Sequence, residues 1–158
     1  MIPIHIMPQP DDASCGPTSL HAVYNYYGDT ITLEQVIKEV PTLAEGGTLG
    51  VLLGSHALRR GYTVKIITYN LRLFDPTWFS GNATDLIVKL KAQAYHKRSK
   101  KLQNATEAYI SFLAEGGILG FEDLVPALLM RYLVQGIPIL TGLSATYLYQ
   151  CAREYSEH

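Results

Sequence analysis

The run from Tyr62 to Tyr69 (YTVKIITY) most constrains the fold of this chain, because β-branched and aromatic residues fill nearly every position in it. We therefore predict a strand there. A second apolar run, from Ile137 to Leu143 (IPILTGL), is typical of a buried strand. Elsewhere the apolar residues mostly recur at helical spacing, and the combination indicates a mixed chain of the α+β class.

Helices are predicted on both sides of the first strand from apolar spacing and from residues that begin or end helices. Pro17 suits a first helical turn, and Gly28 ends the helix that follows it. Thr32 and Gln35 have the spacing of a capping box, which begins the second helix at Thr32. The predicted helices run from Cys15 to Gly28, Thr32 to Pro41, Thr48 to Arg60, Thr84 to His96, Leu102 to Ala114 and Glu122 to Val134.

The composition excludes several classes of function. The chain of 158 residues has the length of one domain, and its 47% apolar and 17% charged residues are ordinary for a globular core. Thirteen basic and fourteen acidic side chains leave a net charge of -1, so no basic field attracts nucleic acid. No stretch has the pattern of a membrane span, and residues 1–8 lack the basic region of a secretory signal. We therefore expect a cytoplasmic protein without nucleic-acid or membrane partners, in which both cysteines stay reduced.

Cys15 is the strongest candidate for chemistry, because it lies at the start of the first predicted helix. The positive end of a helix stabilises a thiolate, which is the nucleophilic form of cysteine. Gly16 leaves room for a substrate backbone, and the Cys15 amide is placed to be one donor of an oxyanion hole. Gln9, on the extended segment before the helix, offers its carboxamide as the second donor. These residues together predict half of a thiol acyl-transfer site.

The alternative interpretation of Cys15 is a buried cysteine that acts as a small hydrophobic residue of the core. Cys151 has no helix cap or flanking donor, and we expect it to be structural. The sequence contains neither a glycine-rich phosphate loop nor a Cys/His spacing typical of metal sites, so no cofactor or metal is predicted.

The order of these residues resembles the opening of the C39-like peptidases, a branch of the papain-like cysteine peptidases. That family has a glutamine, then Cys-Gly-Pro, and then a helix that ends near Tyr-Tyr-Gly. The matching residues are Gln9, Cys15-Gly16-Pro17, Tyr26-Tyr27-Gly28, the Gly46-Gly47-Thr48 loop, Arg60-Gly61-Tyr62 and Gly136-Ile137-Pro138. The resemblance covers residues 1–70 and the strand at Gly136, whereas residues 71–120 look like a helical insertion.

The resemblance implies a papain-like fold, in which a helical lobe led by the Cys15 helix packs on a partial antiparallel sheet. It also implies hydrolysis of a peptide or amide bond, with Cys15 as the nucleophile and Gln9 as the oxyanion donor. Asp11 belongs to the family pattern, and we expect it to shape the start of the helix. We assign Gly16, Asp11 and Gly47 to substrate binding.

The sequence identifies the general base less clearly. The family has a histidine after its Gly-x-Pro strand, usually as Gly-His, and no such pair occurs among the five histidines of this chain. His21 is about 240° around the helix from Cys15, and His56 and His96 are expected at the surface or the edge of the core. His158 has the right order in the chain and is the candidate that we name. We therefore predict a single C39-like peptidase domain over residues 1–158 that is truncated at its C-terminal end and catalytically incomplete.

Two other functions are compatible with the same residues. A catalytically inactive C39-like module would hold a peptide without cleaving it, and the lack of a clear histidine favours this alternative. A thiol acyltransferase, similar to a transpeptidase, would pass the acyl group to an amine. The retained Cys15 and Gln9 favour an enzyme, whose partner is a peptide or amide substrate. An incomplete sheet would also leave an uncovered edge through which a homodimer can form.

Overall fold

The computed structural model of the chain describes residues 3–11, 13–42, 48–96 and 99–143. These residues form helices and a small sheet, a loose α+β architecture. The helices are α1 (Cys15–Tyr26), α2 (Leu33–Glu39), α3 (Gly50–Arg59), the 3₁₀ helix Pro76–Ser80, α4 (Ala83–His96), α5 (Lys100–Ala114) and α6 (Pro126–Leu133). The strands are β1 (Lys65–Thr68) and β2 (Ile118–Phe121). None of the helices in these ranges is long and apolar enough to cross a membrane.

The first three helices begin and end close to the predicted residues. Helix α1 begins at Cys15 and is followed by Gly28, whose positive φ of 77° suits glycine. Helix α2 has Thr32 as its N-cap, and the Thr32 hydroxyl accepts a hydrogen bond of 3.2 Å from the Gln35 amide. The Gln35 side chain donates to Glu39 at 2.8 Å instead of returning to the cap, so half of the capping box forms.

The sheet differs from the prediction in direction and in membership. Strand β1 lies within the predicted strand, but its partner β2 runs parallel to it, with Lys65 opposite Ile118 and Thr68 opposite Phe121. The antiparallel arrangement is therefore wrong for the described sheet. A parallel pair needs a long crossover connection, and the 3₁₀ helix, α4 and α5 supply that connection here.

The segment predicted as a helical insertion (residues 71–120) is therefore the crossover itself, and its end contributes the start of β2. Its two predicted helices are confirmed as α4 and α5, which pack against each other. The predicted strand from Ile137 to Leu143 forms no strand in the described structure. Helix α6 begins at Pro126 rather than at Glu122, because β2 occupies the chain up to Phe121 and proline fits the first helical turn.

Two apolar clusters hold the fold together. The larger one joins α4, α5 and the sheet around Phe74, Leu90 and Phe112, whose exposed fractions are 1%, 0% and 0%. The smaller one joins α1, α2 and α3 around Tyr24 and Val36, which are both fully buried. Since α1 carries Cys15, the smaller cluster fixes the helix on which the candidate site is built.

Candidate active site

Cys15 is the first residue of α1, and its side chain is exposed as a free thiol. The prediction that it lies at a helix N-terminus is confirmed. The alternative of a buried core cysteine is wrong, because the residue faces solvent. An accessible thiol at the positive end of a helix has the environment in which cysteine acts as a nucleophile.

Asp11 organises the backbone that leads into α1. Its Oδ1 atom accepts hydrogen bonds from the Ala13 amide at 2.8 Å and from the Ser14 hydroxyl at 2.6 Å. The Ser14 hydroxyl, and after it the Ala13 amide, holds the pKa of the Asp11 carboxyl below its usual range. Ser14 is the N-cap residue, yet its hydroxyl makes no capping bond to the first turn. The first-turn amides beside Cys15 are therefore not occupied by this side chain.

Gly16 allows α3 to approach the start of α1. A Cβ atom at this position would lie 3.3 Å from the Leu53 Cδ1 atom and 3.3 Å from the Thr48 Cβ atom, which is closer than ordinary packing. A larger residue at position 16 would therefore crowd Leu53 and Thr48 directly beside Cys15. The proposed contact between Gly16 and a substrate backbone stays a prediction.

Gln9 lies on an extended, exposed segment that leads to Asp11. Among the described residues, no hydrogen bond joins the Gln9 carboxamide to Cys15. His5 is on the same segment and is also exposed. The role of the exposed Gln9 carboxamide as an oxyanion donor stays a prediction.

Four residues singled out in the sequence lie outside the described residues. They are Gly46, Gly47, Cys151 and the candidate base His158. The assignments of Gly47 to substrate binding and of His158 to proton transfer therefore stay predictions.

His56 is a core residue, which corrects the expectation that it lies at the surface or at the edge of the core. Its side chain is 3% exposed. The Nδ1 atom lies 2.7 Å from the Tyr24 hydroxyl, and the Nε2 atom lies 3.0 Å from the Glu39 Oε2 atom. Tyr24 is nine residues beyond Cys15 on α1, which is about 13 Å along the helix axis. His56 is therefore held by a hydrogen-bond network that uses both of its ring nitrogens.

The side chains of Asp29, Arg60 and Tyr62 extend this network at the C-terminal end of α1. The Arg60 guanidinium donates to the two Asp29 carboxylate oxygens at 2.6 and 3.1 Å, and the Tyr62 hydroxyl donates to Asp29 at 3.2 Å. The hydrogen bond from Arg60 is the main reason why the pKa of Asp29 lies below its usual range. Arg60 also lies over the Tyr24 ring at 5.4 Å, and burial raises the pKa of Tyr24.

Sequence reasoning missed this network, although one signal was available. Tyr24 falls on the apolar stripe of the first helix, which predicts a buried side chain. A buried tyrosine hydroxyl needs a hydrogen-bond partner, and His56 is a polar residue on a neighbouring helix. The other buried histidine, His21, has its ring nitrogens 3.4 and 3.5 Å from the Asn25 side-chain nitrogen.

Comparison of the chain with protein-family models, with curated proteins and with solved structures gave no match. Within the described ranges, no group of three His, Cys, Asp or Glu side chains is arranged to hold a metal ion.

Proposed function

We propose that this chain carries the nucleophile and the oxyanion donors of a site for thiol-dependent cleavage of a peptide or amide bond, in the manner of the C39-like peptidases that its motifs resemble, with Cys15 as the nucleophile. The observation that supports this proposal is the exposed Cys15 thiol at the first residue of α1. Ser14 does not cap the first-turn amides beside the thiol, and a helix N-terminus is a position where negative charge is generally favourable.

In the proposed reaction, the Cys15 sulfur forms a bond to the carbonyl carbon of the substrate, and the thiol proton passes to a general base. The oxyanion that develops accepts hydrogen bonds from the Cys15 amide and from the Gln9 carboxamide. Collapse of this intermediate breaks the bond to nitrogen, and the amine leaves with the proton. Water then hydrolyses the thioester. We assign the general base to a histidine, with His158 as the candidate.

Acylation by an activated ester tests this site without requiring the base, because the nitrophenolate leaves unaided. The experiment uses mass spectrometry of the intact protein to measure the rate at which N-acetylglycine p-nitrophenyl ester acylates Cys15. We expect Gln9→Ala to slow acylation by about two to three orders of magnitude, which is the usual loss for one oxyanion donor.

Two controls make the result specific. Iodoacetamide reacts with Cys15 by displacement of iodide and forms no oxyanion, so Gln9→Ala should leave its rate unchanged. His5→Ala removes an exposed side chain from the same segment and should leave both rates unchanged. A loss of less than about threefold in Gln9→Ala would exclude the carboxamide from the site.

The same acyl-enzyme distinguishes hydrolysis from acyl transfer. Added glycinamide captures the acyl group as an amide if the site accepts an amine, whereas only N-acetylglycine appears if the site admits water alone. Failure of the ester to acylate Cys15 faster than it acylates free cysteine would favour a module that binds peptides without cleaving them.

A further inference from the structure

Two buried hydroxyl groups without hydrogen-bond partners lie at the first turn of α1. Thr18 follows Cys15 by three residues on this helix and is 2% exposed. Thr48 packs against Gly16, since a Cβ atom at Gly16 would lie 3.3 Å from the Thr48 Cβ atom. Neither hydroxyl oxygen has a partner among the described residues, and the third buried side-chain oxygen of this kind in those residues is that of Gln93. A buried polar atom without a partner is rare in folded proteins and requires an explanation.

Thr106 shows how a buried threonine hydroxyl in a helix is ordinarily satisfied. It is fully buried on α5, and its hydroxyl donates a hydrogen bond of 2.7 Å to the Leu102 carbonyl, four residues earlier. The corresponding acceptor for Thr18 is the Ser14 carbonyl, which accepts from the Thr18 amide at 2.9 Å but not from the Thr18 hydroxyl. The Thr18 hydroxyl is therefore a donor that its own helix does not use.

The Thr18 side chain lies beside Cys15. Residues three apart on a helix are neighbours, with about 5–6 Å between their Cβ atoms. Helical side chains also lean toward the N-terminus, so the Thr18 side chain leans toward the turn that carries Cys15. Cys15 is exposed, whereas Thr18 is enclosed. An acceptor can therefore reach the Thr18 hydroxyl only if it is small, such as an oxygen atom bonded to the sulfur.

We propose that Cys15 is a site of oxidation by hydrogen peroxide, and that the Thr18 hydroxyl donates a hydrogen bond to the oxygen added to the sulfur. In this step the sulfur attacks one peroxide oxygen, so that the S–O bond forms and the O–O bond breaks. The thiol proton passes to the departing oxygen, which leaves as water. The sulfur loses two electrons, the peroxide gains them, and the product is a sulfenic acid.

Two features of the first turn favour this reaction. The thiol is exposed, and susceptibility to oxidation increases with exposure of the sulfur. Ser14 makes no capping bond, so its side chain leaves the positive end of α1 open to the negative charge that develops on the added oxygen. The inference goes beyond the proposed function, because oxidation would block the sulfur that peptide cleavage requires, and a reducing thiol would restore it.

The test compares hydrogen peroxide with iodoacetamide in a Cys151→Ser background, in which Cys15 is the remaining cysteine. Dimedone traps the sulfenic acid, and mass spectrometry of the intact protein measures the rate of each reaction. Both reagents react with the same sulfur, but only peroxide places an oxygen on it. The ratio of the peroxide rate to the iodoacetamide rate therefore reports how the protein treats the added oxygen.

We expect Thr18→Val to lower this ratio about tenfold, the effect of one hydrogen bond that forms in the transition state. Valine keeps the shape of threonine and removes the hydroxyl. Thr18→Ala should lower the ratio in the same way, whereas Thr18→Ser keeps a hydroxyl and should retain the wild-type ratio. Thr106→Val is the matched control, because it removes a buried hydroxyl from another helix and should leave the ratio unchanged.

Urea denaturation of the reduced protein gives an independent readout. Thr18→Val should not lower the urea midpoint, because the hydroxyl that it removes has no partner among the described residues. Thr106→Val should lower the midpoint, because it breaks the hydrogen bond to the Leu102 carbonyl. An equally large fall for Thr18→Val would show that the Thr18 hydroxyl already has a partner, such as a buried water molecule, and would overturn the inference.

The remaining outcomes separate this inference from the proposed function. An unchanged ratio in both Thr18→Val and Thr18→Ala would overturn the role of the hydroxyl. Equal losses with peroxide and iodoacetamide would also overturn it, because they indicate a change in the thiol itself. A wild-type ratio equal to that of free cysteine would contradict the oxidation site. None of these results affects the proposed function, because acylation of Cys15 by the nitrophenyl ester requires no peroxide.

Discussion

Replacement of Tyr24 by phenylalanine tests how much the buried hydrogen-bond network stabilises α1, the helix that carries Cys15. Tyr24 is fully buried, and its hydroxyl lies 2.7 Å from the Nδ1 atom of His56. Because the His56 Nε2 atom faces the Glu39 carboxylate at 3.0 Å, Nε2 donates to that carboxylate, which leaves Nδ1 as the acceptor for the Tyr24 hydroxyl. Tyr24→Phe removes this donor and leaves a buried nitrogen without its partner.

The expected cost follows from that geometry. Phenylalanine keeps the ring, including its contacts with Tyr62 at 5.2 Å and with Arg60 at 5.4 Å, so little packing is lost. The remaining cost is one buried hydrogen bond and an unpaired acceptor, about 1–3 kcal/mol. For a domain of this size, a loss of about 2 kcal/mol lowers the melting temperature by about 4–8 °C.

Urea denaturation followed by circular dichroism measures this change in the free energy of unfolding. Tyr95→Phe is the control, because Tyr95 is 88% exposed and its hydroxyl makes no hydrogen bond among the described residues. A cost of less than about 0.5 kcal/mol for Tyr24→Phe would show that the network does not stabilise α1.

Three further predictions address the thiol, the core and the charge network. Iodoacetamide should label Cys15 before Cys151 near neutral pH, and equal labelling would count against an activated thiol. Gly117→Ala should destabilise the fold by about 1–3 kcal/mol in urea melts, because its Cβ would overlap the buried ring of Phe112. Gly50→Ala is the control and should not destabilise the fold, because the space around Gly50 is open. The pKa of Asp29 is lowered by its hydrogen bond with Arg60, so this carboxylate stabilises the fold above its usual pKa and loses that effect as the pH falls through the lowered value. Asp29→Asn should therefore be less stable than the wild type at neutral pH, and the difference should vanish in acid.

Local signals in the sequence predicted the helix that carries the candidate nucleophile. Proline, glycine and capping residues act within one or two turns, so the start at Cys15 and the cap at Thr32 could be predicted without knowledge of the fold. The same holds for α4 and α5, whose apolar spacing extends over several turns.

Pairing between distant segments could not be predicted in the same way. Strand β2 has four residues beside two glycines, too few to show an alternation, and its parallel partner is more than forty positions away. The run from Ile137 to Leu143 has the composition of a strand, but a strand also needs a neighbour with free backbone groups. Composition reports the tendency of a segment and not the presence of that neighbour.

The position of an exposed thiol depends on what holds the helix behind it, and the structure gives α1 two separate supports. Tyr24 connects α1 through His56 to α2 and α3, and its hydroxyl is enclosed in the core. Tyr26 connects the Cys15-bearing face to the carbonyl of Gly136, at a partly exposed contact. Loss of the buried bond in Tyr24→Phe should therefore lower the free energy of unfolding by about 1–3 kcal/mol. Loss of the outer bond in Tyr26→Phe should cost less, because water can replace the hydroxyl at a partly exposed contact. Equal losses in the two variants would contradict the view that burial distinguishes the two supports of α1.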